Sequence, residues 1–237
     1  MSASPYRPVV LSILSAHGAK SVLDAPCGQG WLAQAVQAGR IRIDTLDGVE
    51  MYDFPEDPSL PYRKVDAYDL DKPLPDPDQP YDAVVCAEAI HLVTNPGVVL
   101  ESFKRALRPG GIVVINTPNT WYMRSRLQFL LRGFHSGFRP GIGKQPGKDY
   151  ITYFPWTYPQ LHLLLTHYGY TGVTLHEVDE RKPKRWVEHA LALPSKLYYG
   201  RCRRRAATPE ETEYWATAGR AQSLHGRWLV VSARKPG

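Results

Sequence analysis

Cysteine is scarce. The 237 residues include three, Cys27, Cys86 and Cys202, far apart, with no Cys-x-x-Cys pair and no clustered histidines beside them. That pattern excludes a disulfide frame and a zinc site of the usual spacing, and it sets a reducing, cytoplasmic setting as the expectation. No apolar run approaches the roughly 18 residues that span a bilayer. The opening MSASPYRPVV lacks a basic segment followed by an apolar core and a cleavage site. A soluble protein, or one at most peripheral to a membrane, is expected. Charged residues are also a modest 22%, against 43% hydrophobic residues and six Trp, which excludes a disordered chain and favours a well-covered core. No internal repeat interrupts this reading, and length alone allows one α/β domain over residues 1–237.

The net charge of +6 is unevenly distributed. Residues 181–205 hold nine Lys or Arg and one acid, Glu188, a local +8 that leaves the remainder of the chain at −2. The basic character therefore belongs to one segment.

Hydrophobic spacing gives alternating elements. Val9, Val10, Ile13 and Leu14 recur at helical spacing between Arg7 and His17, and Gly18 stops the run. Strands are expected at Ser21 to Leu23, within Ile41 to Val49, near Tyr62 to Val65, at Tyr81 to Cys86 and at Ile112 to Ile115. Helical stripes lie at Leu32 to Val36 and Val98 to Leu107, the second ended by the turn Arg108-Pro109-Gly110-Gly111. This alternation predicts an α/β fold with a doubly wound, mostly parallel sheet and ligands above the carboxyl ends of its strands. Residues 118–150 read as a lid-like insertion, with a short basic helix and then a Gly/Pro-rich stretch. A helix carrying Leu161, Leu164 and Leu165 and a strand from Thr171 to Val178 follow. A basic insertion over 181–225 precedes a last strand, Arg227 to Ala233, suited to antiparallel pairing with the strand before it.

The most informative stretch is VLDAPCGQG, Val22 to Gly30. An apolar strand ends in Asp24, and Gly28 and Gly30 open a helical pattern. A carboxylate at a strand end can hold a ligand hydroxyl or amine, and glycines there allow close backbone approach. The glycines alone also fit the dinucleotide pattern G-x-G-x-x-A. However, Asp24 stands where a pyrophosphate would need an uncharged neighbour, and it suits a cationic amino-acid group instead.

At these residues the chain resembles the class I S-adenosylmethionine-dependent methyltransferases, over nearly all of residues 20–180 and the last strand. The family's first motif, strand-D-x-G-C-G-x-G, stands here as LDAPCGQG, with Pro26 at the usual first glycine. The resemblance implies a seven-stranded fold with an antiparallel last strand. It implies S-adenosylmethionine as cofactor, its methionine part held by Asp24, Ala25, Pro26, Cys27, Gly28 and Gly30. For the family's ribose-binding acid there are two candidates. Asp47 keeps the usual spacing from Asp24, whereas Glu50, in LDGVEM, matches the apolar-then-acid strand ending and is preferred. Asp66 and Asp69, in VDAYDLDKPLP, both fit the adenine contact. YDAVVCAEAIHLVTNP resembles the fourth strand and its turn, which puts Glu88 on the pocket wall, and LRPGGIVVINTPN resembles the fifth strand.

His91 is the candidate catalytic base, although it falls one place earlier than the histidine of E-x-I-E-H-L in relatives that share TPN after the fifth strand. A structural role competes with that one. Trp121, His135 and Tyr150, in the insertion, are candidates for acceptor contact or plain aromatic packing. No Asn/Asp-Pro-Pro-Tyr/Phe follows the fourth strand, unlike enzymes that methylate nucleic-acid bases or glutamine amides. No acid cluster suits magnesium, so no metal is expected. The resemblance implies methyl transfer by in-line displacement, at oxygen, to a small-molecule, lipid-linked or glycan-type acceptor. A nicotinamide-dependent oxidoreductase and a non-catalytic S-adenosylmethionine-binding protein are the rival readings.

Basic ends around the apolar and aromatic WVEHALALPSKLYY, which Pro194 interrupts, suit peripheral contact of residues 181–205 with an anionic membrane. A solvated insertion packed on the sheet edge is the plainer alternative. No nucleic-acid module accompanies the charge, which argues against a nucleic-acid partner.

Overall fold

The computed structural model describes residues 4–52, 55, 57–138, 151–182 and 186–237. Helix α1 (Arg7–His17) carries Pro8 in its first turn, where a missing N–H is tolerated. It ends at Gly18, whose φ of 68° lets its N–H cap the last carbonyls. The chain then alternates through β1 (Ser21–Asp24), α2 (Trp31–Gln37), β2 (Thr45–Glu50), β3 (Lys64–Ala67) and β4 (Tyr81–Ala87). Next come α3 (Pro96–Ala106), β5 (Leu107–Pro118), α4 (Met123–Arg132), α5 (Tyr158–His167) and β6 (Thr171–His176). Three helices, α6 (Val187–Arg205), α7 (Pro209–Ala218) and α8 (Ala221–His225), fill the basic insertion before β7 (Trp228–Arg234). Side-chain caps fix several starts: Asn95 accepts from Val98 N–H, and Thr157 and Gln160 form a reciprocal capping box.

The seven strands run in the order β3-β2-β1-β4-β5-β7-β6. All neighbours pair in parallel except β7, which is antiparallel to both β5 and β6. Alternation along each strand divides the core in two. Val22 faces Val10, Leu14 and Leu32 on one side, while Leu23 faces Leu100, Phe103, Leu161 and Leu165 on the other. Each such buried side chain contributes about 1.5–3 kcal/mol. From β1 the chain winds outward to β2 and β3, and from β4 it winds the other way to β5. The strand order therefore reverses between β1 and β4, and their carboxyl ends, at Asp24 and Ala87, flank the crevice where such sheets bind ligands.

Four local expectations change. β2 begins at Thr45, because pairing starts at Ser21 with Thr45; Ile41 and Ile43 are buried ahead of the strand. β3 lies two residues later than expected, and all four of its residues are exposed, as an edge strand allows. The Pro109-Gly110-Gly111 stop does not separate α3 from β5. The strand begins at Leu107, and a register shift between Tyr81 and Ala83 absorbs the extra residues. Nor does Pro194 interrupt α6, which runs through it. Ala190, whose carbonyl loses its helical donor there, is exposed to water.

Candidate functional site

At the reversal between β1 and β4 the chain leaves β1 through Ala25, Pro26, Cys27 and Gly28, with the Ala25–Pro26 peptide cis. Backbone bonds stitch this turn to both neighbours. Ala25 N–H donates to the Val85 carbonyl (2.9 Å), and Cys27 N–H donates to the Val49 carbonyl (3.0 Å). Gly48 makes that approach feasible, because a Cβ there would lie 3.1 Å from Cys27 Sγ. Burial first, then the charges of Asp24 and Glu50, pushes the Cys27 thiol up to about 12. It is a packed, unreactive group.

Gly28 and Gly30 both have left-handed φ, 49° and 71°, for different further reasons. A Cβ on Gly28 would meet no described atom within 4 Å, whereas one on Gly30 would lie 2.4 Å from Leu60 Cδ1. Gly28 is glycine for its dihedral angle, and Gly30 also for room under the segment that leads into β3. Gly30 immediately precedes α2.

Asp24 is fully buried at the end of β1. Its Oδ2 accepts from the Tyr62 hydroxyl at 2.8 Å, and its Oδ1 has no partner among the described residues. Burial raises its pKa to about 7; the Tyr62 bond lowers it, and the charge of Glu50 adds to the rise. Burial and the Asp24 charge push Tyr62 well above the usual phenol range, so its hydroxyl stays a donor. A buried acceptor without a donor is costly. A cation seated at Oδ1 would remove that cost.

Glu50 ends β2, where its Oε2 accepts from Gly28 N–H (2.9 Å) and its Oε1 from Met51 N–H (2.9 Å). It faces a cavity of about 430 Å³ that Leu60, Tyr62 and Ala67 also line. Oε1 also accepts from Tyr52 N–H at 3.3 Å, so it is Oε2 that keeps a second lone-pair direction for a ligand hydroxyl. Asp47 sits elsewhere. It is fully buried, receives Arg63 through Nε (2.9 Å) and Nη2 (2.5 Å), and receives the Tyr81 hydroxyl at 2.5 Å. Burial opposes its ionisation, but these bonds prevail and hold it below the usual carboxylate range. Asp47 thus joins β2, β4 and the approach to β3.

The remaining candidates are more dispersed. Asp66 lies exposed on the edge strand in an ion pair with Lys64 at 2.7 Å, and its strand neighbour Ala67 is in register with Glu50. Asp69 accepts from Asp71 N–H at 3.0 Å. Glu88, just past β4, has a φ of 55°, and its Oε2 accepts from the Tyr6 hydroxyl at 2.5 Å. His91 is half-buried, its Nδ1 lies 3.1 Å from Thr117 Oγ1, and burial pushes its pKa down to about 4. It is neutral near pH 7. Trp121 carries the Arg126 guanidinium 3.6 Å from its ring centre, and His135 stacks on Phe129. Tyr150 lies outside the described residues.

Three participants escape sequence reasoning: Tyr62, Tyr6 and Thr117. Each reaches its partner across a long stretch of chain and carries no local signal. Only Pro8, two positions after Tyr6, marks the start of a helix there.

The chain is 32% identical over 110 residues to the ubiquinone biosynthesis O-methyltransferase of Pseudomonas savastanoi pv. phaseolicola, covering 42% of this chain and 45% of that protein. It spans about half the length of the curated relatives it matches. Among solved structures, the S-adenosylmethionine-dependent methyltransferase of Mesorhizobium loti superposes with a TM-score of 0.55 at 17% identity, over 98% of each chain. That of Archaeoglobus fulgidus gives 0.52 at 15% identity, over 97% of this chain and 94% of the other. These likenesses show the fold, a class I methyltransferase fold with its antiparallel last strand. Residues 6–175 match the family model described as a methyltransferase domain, and the chain belongs to that methyltransferase family.

Proposed function

We propose that this protein binds S-adenosylmethionine and transfers its methyl group to the oxygen of a small-molecule, lipid-linked or glycan-type acceptor. The observation that carries the reading is the Oδ1 of Asp24, a buried carboxyl oxygen without a partner among the described residues, at the sheet's reversal point beside a left-handed glycine turn. When bound, the cofactor supplies an electrophilic methyl group on a sulfonium. The residues present fit it. Asp24 and the turn from Ala25 to Gly28 hold the cationic methionine end. Glu50 accepts a ribose hydroxyl at Oε2, and Asp69 is the adenine contact, since Asp66 is paired with Lys64 on the face of β3 opposite Ala67. Glu88 borders the acceptor side.

His91, neutral and tied through Nδ1 to Thr117, has an Nε2 without a partner among the described residues, able to take a proton from an acceptor hydroxyl in the tautomer whose Nδ1–H donates to Thr117. Most of the acceleration comes from alignment and exclusion of water, about 7–11 kcal/mol for well-oriented reactants. The oxygen acceptor is supported by the names of the similar O-methyltransferases.

A buried carboxylate in front of the glycine turn disfavours a nicotinamide dinucleotide, whose pyrophosphate it would repel. The protein works in the cytoplasm, and residues 181–205 make peripheral contact with an anionic membrane. No helix among the described residues is long and apolar enough to cross one.

Thermal shift separates the cofactors. S-adenosylhomocysteine at about 100 times its dissociation constant adds about 2.7 kcal/mol of stability, whereas NADH adds none. Stabilisation by NADH alone refutes the reading. A screen for transfer of labelled methyl to extracted small molecules and lipids then separates an enzyme from a binding protein.

A further inference from the structure

The helix α6 is inverted relative to a helix that packs on a core and faces water. Its inward row, Glu188, Ala192, Ser195 and Tyr199, recurs at helical spacing and includes an acid and a hydroxyl. Its outward row holds Trp186, Leu193 and Leu197, exposed at 83%, 54% and 64%. Helix α4 repeats the pattern. Leu127, Leu130 and Leu131 fall at i, i+3 and i+4 on one face, and Leu130 and Leu131 are 80% and 84% exposed. A bond from Arg126 Nη1 to Ser195 Oγ (2.7 Å) joins the two helices.

Their charge is one-sided. α4 carries Arg124, Arg126 and Arg132 and no acid; α6 carries Lys196, Arg201, Arg203, Arg204 and Arg205 against the buried Glu188. Apolar rows of this size on a monomer mark an interaction surface. The basic residues repel a second copy of the same face and favour an anionic partner. The rows lie on convex helix surfaces, which suits a surface that yields around them.

We propose that α4 and α6 together form a lipid-docking surface on which the protein rests against an anionic bilayer, with the leucines of both helices entering the headgroup region. This rests on the peripheral contact proposed above and assigns it a second helix, outside the basic segment. Because α4 follows the carboxyl end of β5, and Asp24 ends the parallel strand β1 on the same side of the sheet, docking there places the site beside the lipid surface. An apolar acceptor then has a short path out of the bilayer.

The test is flotation of the whole protein with phosphatidylcholine vesicles, with and without phosphatidylglycerol. It compares wild type with Leu130→Glu/Leu131→Glu and with Leu193→Glu/Leu197→Glu. Wild type should float with the anionic vesicles only, less at high salt, and each double variant should reduce recovery about tenfold. Both variants should retain the wild-type circular dichroism spectrum and stabilisation by S-adenosylhomocysteine, which separates lost docking from lost folding. Equal recovery with both lipids, no recovery with either, or wild-type flotation of the α4 variant overturns the proposal. So does sedimentation showing that the α4 leucines hold a dimer. Failure of S-adenosylhomocysteine to bind wild type, with anionic flotation intact, removes the cofactor reading and leaves the lipid surface standing.

Discussion

The hydroxyl of Tyr62, two residues before β3, donates to Oδ2 of Asp24 at the end of β1 across 2.8 Å. The bond joins the segment over the glycine turn to the carboxylate in front of it, and it leaves Oδ1 as the side open to a ligand.

Removing that hydroxyl should weaken the fold before it affects anything else. Tyr62→Phe strips a buried carboxyl of its side-chain donor, at a cost of about 1–3 kcal/mol, read as a lower urea midpoint. An unchanged midpoint would mean that water replaces the phenol and that Asp24 is not sealed.

The two acids of β2 should separate by assay. Residues 47 and 50 are an odd number apart, so a strand with a period of two directs them to opposite faces. Asp47→Asn disrupts the bonds to Arg63 and Tyr81 and should cost about 1–3 kcal/mol of stability with S-adenosylhomocysteine affinity kept. Glu50→Gln should lower that affinity about tenfold, measured by calorimetry.

The contribution of Asp24 to stability should fall as pH rises from about 4 to about 7. Asp24 titrates at about 7 in the folded protein against an ordinary 3.8, so within that window the folded state holds a proton that the unfolded state has released. Each pH unit there costs up to about 1.4 kcal/mol, and above 7 the penalty is constant. Asp24→Asn should remove this slope. The difference between the wild-type and variant urea midpoints at pH 5 and 7.5 measures it, and parallel pH dependences would show that Asp24 ionises normally.

Gly28→Ala and Gly30→Ala should differ. Both impose a left-handed Cα on a residue with a side chain, about 1–2 kcal/mol, but only the second also drives a Cβ to 2.4 Å from Leu60 Cδ1. Adding Leu60→Ala should restore part of the loss at Gly30 and none at Gly28, as thermal denaturation would show.

Much of this was readable from the chain, for identifiable reasons. Apolar periodicity located α1 and α3, and the antiparallel β7 followed from a strand placed directly after a long insertion. Asp24 before Gly28 and Gly30 marked the turn at the sheet's reversal, because a carboxylate that ends an apolar strand is rarely placed there by packing. Local pattern could not show which face of β2 meets the cavity, since that depends on how β3 and the Tyr62 segment close over it. Nor could it show that Pro194 would be accommodated: an exposed helix lets water replace the lost donor at Ala190, and exposure is a property of the assembled fold.

Calorimetry of S-adenosylhomocysteine at pH 6.5, run in two buffers of different ionisation enthalpy, tests most directly whether Asp24 is the cation's seat. Wild type should bind and release a proton to the buffer, with affinity rising towards pH 8 and then levelling. Asp24→Asn should bind at least about tenfold more weakly and release none. Wild-type affinity and unchanged proton release in Asp24→Asn would show that the cation sits elsewhere.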